Sequence, residues 1–285
     1  MLDKKFYSYI KARFYGAATR LFVFPIALVA SSCGLIYEDS PKCDWVPETF
    51  EQYKEGSWPS VAFNFTANTD HVLSQDSWAR ETCVYIDGKN VGSSTTFEDD
   101  PLLGRTTENV VLGQKYHYSF TAVHGDYALL NNTETGGKDI ISLPEDYVSE
   151  LNDDKWDILY NTLDTVFTAS DKCHQKITLQ SVFARYTVTI KTEIPIGYIT
   201  IDFKTSLPTS FCQYDGSTSD NLISVGIRGA KNTASFTDSR LVPPEGIATY
   251  IDINVYSDDN RLLKTFHNQA VRLQRNTTTN IILEL

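Results

Sequence analysis

From residue 60 onward the chain is a succession of short segments in which β-branched and aromatic residues alternate with polar ones, each closed by turn-forming residues. Successive side chains of an extended strand point to opposite faces. Alternation with one apolar face therefore marks a strand half buried against a second layer. Residues 61–66 have this form. Residues 83–86 run into Asp87-Gly88, a dipeptide suited to a tight hairpin turn, and the pattern resumes near Val91. Residues 110–112, a turn at Gly113 and residues 116–123 read as a second hairpin, with Tyr116, Tyr118, Phe120 and Ala122 on one face. The longest run, 177–191, puts Val182, Ala184, Tyr186, Val188 and Ile190 on one face. Strand patterns follow at 198–203, 222–227, 249–256, 261–266, 271–273 and 279–285, with Ser257-Asp-Asp-Asn260 as a hairpin turn. Short strands at this spacing predict an all-β chain of antiparallel sandwiches, and 285 residues leave room for two.

One stretch breaks the pattern. Residues 143–148 and 155–165 place Trp156, Leu159, Tyr160 and Leu163 at helix-like intervals, which predicts a short helical insertion closing the first domain. The expected organisation is an export signal at 1–32, a tether at 33–58, a first sandwich domain at 59–170 and a second at 171–285.

The N-terminus sets the compartment. Lys4, Lys5, Lys11, Arg13 and Arg20 precede an apolar run at 21–30, which leads into Ser31-Ser32-Cys33. A basic region, about ten apolar residues and small residues before the cut make an export signal. The run is shorter than the ~20 residues that span a bilayer. A Cys directly after small residues predicts a lipoprotein: Cys33 carries the lipid and becomes the mature N-terminus. The alternative is an ordinary secretory signal beside a chance Cys. Acyl chains contribute about 0.8 kcal/mol per buried CH₂, so more than one chain anchors stably. With Cys33 lipidated, Cys43, Cys83, Cys173 and Cys212 remain. Two early and two late thiols in an oxidising compartment suggest disulfides Cys43–Cys83 and Cys173–Cys212, with buried free thiols as the alternative.

The formal charge of −11 disfavours a nucleic-acid partner, whose phosphates need clustered Lys and Arg. The chain has no G-x-S-x-G, no H-E-x-x-H, no phosphate-binding loop and no dinucleotide glycine pattern, so no enzyme and no cofactor is expected. Cys173-His174 lacks a second pair at metal-ligand spacing, so no metal site is expected. His117, between Tyr116 and Tyr118, is expected on the solvated face of its strand. Asp99-Asp100, Asp153-Asp154 and Asp258-Asp259 lack a calcium-loop arrangement and lie beside turn residues. Trp45, Trp58, Trp78 and Trp156 are expected mainly in cores, with a glycan-stacking platform as the alternative. At the C-terminus Ile281, Leu283 and Leu285 share one face of a final strand. That strand either pairs within its own sheet or adds to a neighbour's edge, and it is the candidate exchange strand.

Three stretches carry a resemblance. Cys33-Gly-Leu-Ile-Tyr-Glu-Asp-Ser-Pro-Lys-Cys43 resembles the start of the mature fimbrial anchor lipoproteins of Bacteroidales, the FimB-type family. There a lipidated Cys is followed by an Ile-Tyr-acid-acid element and a second Cys. Residues 177–191 look like the strand opening the second domain of fimbrillin-type proteins, and 271–285 are similar to their closing hairpin with its Arg-Asn-Thr turn. The resemblance implies two tandem transthyretin-like sandwiches and a surface-exposed outer-membrane location. It also implies a subunit that fixes a fimbria to the membrane, limits its growth and contacts adjacent fimbrial subunits by strand exchange. Polymerising subunits of this kind are cleaved after a basic residue. Lys42, Lys54, Arg80 and Arg105 form no compelling site, which suits an uncleaved anchor. A tip or accessory fimbrial subunit fits the same architecture, and a glycan-binding surface lipoprotein is the alternative from another class.

Overall fold

The computed structural model describes residues 47–68, 78–98, 104–124, 140–144, 147, 156–219, 226–228 and 235–285. The strands, in chain order, are β1 (Ser60–Asn68), β2 (Trp78–Ile86), β3 (Lys89–Glu98), β4 (Arg105–Asn109), β5 (Lys115–His124), β6 (Ile140–Ser142), β7 (Asp157–Val166) and β8 (His174–Ser181). They continue with β9 (Phe183–Lys191), β10 (Tyr198–Phe203), β11 (Ser210–Cys212), β12 (Gly226–Arg228), β13 (Ser235–Leu241), β14 (Ile247–Tyr256), β15 (Leu262–Leu273) and β16 (Thr278–Glu284). A single 3-10 turn, Phe50–Gln52, precedes them and buries Phe50.

The first module is one seven-stranded sheet in the order β3-β2-β5-β7-β8-β1-β4. Its β2–β3 hairpin turns at Asp87 (φ 51°) and Gly88 (φ 73°), as their sequence predicts, because both residues tolerate the left-handed region that matches strand twist. The sheet rolls until one face closes on itself. Phe63 of β1 lies 4.9 Å, ring to ring, from both Tyr118 and Phe120 of β5, although β8 and β7 separate the two strands in the ladder. Tyr116, Tyr118, Phe120 and Ala122 do share a buried face, packed with Phe65, Trp78, Leu159 and Leu179.

Two side-chain bonds draw the rims together. Arg80 of β2 donates to Thr106 of β4 (3.3 Å), and Ser94 of β3 donates to Glu108 of β4 (3.0 Å). Closing the rims hides edges that would otherwise recruit other strands. Burial holds the Glu108 carboxyl above its ordinary value, with the Ser94 hydroxyl opposing that shift. A carboxyl raised in the folded state costs stability at neutral pH. The cost is relieved as pH falls through the raised value and is gone below the unfolded value of 4.5. Glu108→Gln keeps the acceptor and removes the charge. It is therefore expected to raise the melting temperature at pH 7 by a few degrees and to have no effect below pH 4, measured by thermal denaturation against pH.

The second module is a two-layer sandwich, β12-β10-β14-β15 on β13-β9-β16. Tyr186, Val188 and Ile190 of β9 face Ile199, Ile201 and Phe203 of β10 and Ile251, Ile253 and Val255 of β14 across one core. The β14–β15 hairpin turns at 257–260 as expected, with Asn260 at φ 65°. Residues expected as two strands, 261–266 and 271–273, form the single β15, bent by a bulge where Asn268 adopts φ 51°.

Four expectations are corrected. The predicted helix over 155–165 is the strand β7, paired with β5 along its whole length and with β8 at Leu159 and Tyr160. Ile158 and Tyr160 serve one core and Leu159 and Leu163 another, so both faces carry apolar residues and the period-two signal vanishes. Of residues 143–148 only 143, 144 and 147 are described. Second, β4 and β5 are not a hairpin: β4 pairs with β1, and the Gly113 turn crosses over the end of the roll. Third, the sheets are mixed rather than antiparallel, because β1 runs parallel to β8 and β16 parallel to β9. Fourth, the run 177–191 is two strands. β8 belongs to the first sheet, β9 to the second, and Val182 is the crossing.

Candidate interaction surface

A third apolar cluster lies at this crossing. Val182 and Phe183 pack with Ala79, Val123, Ile158, Phe211, Leu241 and Tyr147. The small β6–β11 ladder and the segment after it cover the outer face of the first sheet. Gln213 donates to Glu81 (2.9 Å), and His117 Nε2 donates to the Tyr214 carbonyl (2.6 Å), with Nδ1 3.0 Å from Asp164. His117 does face away from the aromatic core, as expected. It is covered rather than solvated, because Tyr85 and Tyr214 pack on its ring. Gly216 (φ 70°) passes so near that a Cβ there would meet the Tyr160 ring at 2.6 Å. Arg275 of the closing turn donates to the carbonyls of Val242 (2.9 Å) and Gly216 (2.6 Å), and burial pulls its guanidinium down to about 10.

Within this layer is a buried charged network that sequence patterning missed. Arg240 of β13 donates from Nε to Asp238 (2.7 Å) and from a terminal nitrogen to the Tyr147 carbonyl, and its guanidinium lies 4.8 Å from the Tyr147 ring centre. Tyr186 of β9 donates to the same Asp238 oxygen (2.6 Å), and the Leu241 N–H donates to the Tyr147 hydroxyl (2.5 Å). Burial pushes both phenols well above their ordinary value, so they stay neutral. Nothing in the alternation marked residues 235–241 as a strand, because its inward positions include Asp238 and Arg240. The one available signal was four consecutive polar residues, Thr237-Asp-Ser-Arg240, between Phe236 and Leu241. The arrangement offers no open cleft and no acid–base pair facing solvent. It is a clamp joining β13, β9 and residue 147.

The cysteines fall in different places. Cys33 and Cys43 lie outside the described residues, and Cys83 is buried in β2. Cys173 and Cys212 are free thiols, so the expected bridge between them is not formed. Cys173 sits in the rolled core beneath Phe50, whereas Cys212 belongs to β11 in the covering layer. Burial pushes both thiols up. Of the tryptophans, Trp78 and Trp156 are buried, Trp58 is exposed and Trp45 lies outside the described residues. Asp258-Asp259 occupies the β14–β15 turn, where Asp259 accepts a bond from Ser257. The other two acidic pairs lie outside the described residues. No group of three metal-ligating side chains occurs among the described residues. A cavity of about 350 Å³ is lined by Thr205, Pro208, Thr218, Pro243 and Glu245.

The open surface is the rim of the second module. β16 pairs with β9 over Thr278–Glu284, with Ile281 opposite Val188 and Leu283 opposite Ile190. Ile281, Leu283 and Leu285 turn inward onto the sandwich core, and Ile282 is exposed. Among the described residues no strand flanks the other side of β16. Two side-chain bonds to the facing sheet hold its ends: Lys264 of β15 donates to the Glu284 carbonyl (2.8 Å), and Thr279 of β16 donates to the Arg272 carbonyl (3.0 Å). β13 is the opposite rim of the same sheet.

No family model matches the sequence, and no curated protein matches it. The fold does have counterparts among solved structures. A candidate adhesin from Bacteroides thetaiotaomicron superposes with TM-score 0.51 at 13% identity, covering 75% of this chain and 82% of that one. A candidate polysaccharide-binding protein of the same species gives TM-score 0.51 at 12% identity, covering 73% and 80%. The fimbrial anchor protein Mfa2 from Porphyromonas gingivalis gives 0.48 at 16% identity, covering 73% and 81%, a distance at which it carries no argument. At these identities the shared property is the fold: this chain has the all-β architecture of the two Bacteroides structures.

Proposed function

We propose that this chain is a non-enzymatic fimbrial subunit, held in the outer membrane by lipid on Cys33, whose two modules are transthyretin-like sandwiches in tandem. In this reading it is the anchor subunit and meets the next subunit by strand exchange at β9. The observation that carries it is the placement of β16. Among the described residues β16 is bound by main-chain ladder on one flank only, and it closes the core with Leu283. A strand so held is the piece most easily replaced by another chain's strand. The incoming backbone takes over the ladder to β9, and its alternate side chains fill the space of Ile281, Leu283 and Leu285. The first module, with its rims tied together, is suited to a supporting role rather than to strand addition. The likeness of fold to candidate adhesins supports the class, and the sequence Cys33 to Cys43 supports the anchor.

Two measurements test the reading. In native fimbriae this chain is expected in substoichiometric amount, and its absence from purified fimbriae refutes the anchor role. Cys33→Ala is expected to move the protein out of the outer-membrane fraction. Unchanged outer-membrane association refutes lipid anchoring.

A further inference from the structure

Four exposed apolar side chains gather at one end of the first module: Trp58 (73% exposed), Val111 (58%), Val166 (45%) and Leu112 (37%). The backbone brings them together. The Val110 N–H donates to the Pro59 carbonyl (2.9 Å), extending the β1–β4 ladder by one step, so that Trp58 comes beside Val111. The Gly113 N–H donates to the Phe167 carbonyl (2.8 Å), laying residues 112–113 against 166–167. A turn closed by the Ser57 N–H on the Lys54 carbonyl (3.0 Å), with Gly56 at φ 84°, projects Trp58 outward while its neighbour in the ladder, Val110, stays in the core. Lys54, Glu55 and Lys115 are exposed around the group, so its rim carries both signs of charge.

The same end receives the N-terminal segment. The Cys173 N–H donates to the Glu48 carbonyl (2.9 Å), and the Phe50 N–H donates to the Asp171 carbonyl (3.2 Å), in the loop that follows Val166. Thirteen residues separate Cys33 from Pro47. Fully extended they reach roughly 50 Å, so lipid on Cys33 tethers the chain from this end and keeps it within that distance of the bilayer.

We propose that this tip is a bilayer-contact surface. Resting on the lipid-anchor reading above, it lays Trp58, Val111, Leu112 and Val166 into the interfacial zone of the phospholipid membrane that holds the acyl chains. Trp favours that zone because its ring is apolar and its N–H still meets headgroups. A weak interfacial contact becomes effective when a tether supplies a high local concentration, and two holds together fix the orientation of the module.

The test uses the mature chain, residues 33–285, carrying Cys33→Ser so that no acyl chain contributes. It is sedimented with vesicles of phosphatidylethanolamine and phosphatidylglycerol. The expected result is measurable partition that falls about tenfold or more in the triple variant Trp58→Ser, Val111→Ser, Leu112→Ser, with the melting temperature unchanged. Val166→Ser, read alone, gives a smaller fall and covers the case in which the triple variant fails to fold. Equal partition of parent and variants, or no partition of the parent, overturns the proposal. So does a dimer in sedimentation velocity that the triple variant abolishes, since the patch then joins copies of the chain. Failure of the lipid reading is distinguishable: native protein without an acyl adduct in intact-mass spectra removes the anchor but leaves the vesicle result unaltered.

Discussion

Asp238→Ala is expected to lower stability by about 3–5 kcal/mol, the usual cost of stripping one partner from a buried ion pair. The substitution leaves the Arg240 guanidinium buried without its carboxylate and takes the acceptor from the Tyr186 hydroxyl. Arg240→Ala acts from the other side: it leaves the Asp238 charge buried and releases the Tyr147 carbonyl. The double substitution Asp238→Leu with Arg240→Met, which replaces charge by apolar volume, is expected to cost less than either single change. Urea denaturation of the parent, the two alanine variants and the double alanine variant closes a double-mutant cycle. A coupling near zero would mean that the two side chains are satisfied independently and that the clamp does not exist. The consequence also reaches beyond stability. Residue 147 lies in the chain between β6 and β7, so loosening the clamp is expected to release it, seen as limited proteolysis before global unfolding.

The second large effect concerns the terminal strand. Removing residues 278–285 withdraws Ile281, Leu283 and Leu285 from the sandwich core and leaves β9 with one ladder partner, β13. The truncated chain is expected to melt well below the parent and to regain stability when a peptide of sequence 278–285 is added, because that peptide restores both the ladder and the apolar contacts. Leu283→Ala in the intact chain is expected to cost about 2–3 kcal/mol, at the low end for a buried leucine because a rim strand relaxes around the space. Leu283→Asp loosens the strand that the incoming one replaces, so it is expected to increase capture of the adjacent fimbrial subunit in pull-down experiments while the first module stays folded. Capture unchanged or weakened in Leu283→Asp would rule out exchange at β9.

Local chemistry was the legible part of this protein. Asp87-Gly88 and the 257–260 turn were readable because positive φ is a property of the residues that sit there. The faces of β10, β14 and β16 were readable because each buries one side only, and the alternation survives. The buried network was not readable. Asp238 and Arg240 look like surface residues until β9 and residue 147 bring Tyr186 and the Tyr147 carbonyl to them. The candidate surface divides the same way. Leu283 and its neighbours were visible as an amphipathic last strand, whereas the tip patch depends on Trp58, Val111 and Val166, which are up to about a hundred residues apart in the chain.

By itself the sequence determined that the chain is built from short strands, where many of them turn, and that basic residues and an apolar run precede Cys33. These follow from period, turn conformations and hydropathy, each set within a few residues. Which strands pair was decided only in the tertiary structure. β7 became a strand because β5 and β8 offered ladders on both sides, and β8 joined β1 in parallel across more than a hundred residues. Val182 became the crossing because one sheet ends there and the next begins. Pairing energy lies in main-chain hydrogen bonds, which are nearly indifferent to side-chain identity. The choice of partner is therefore made by the burial of whole faces, a property that no single stretch of sequence contains.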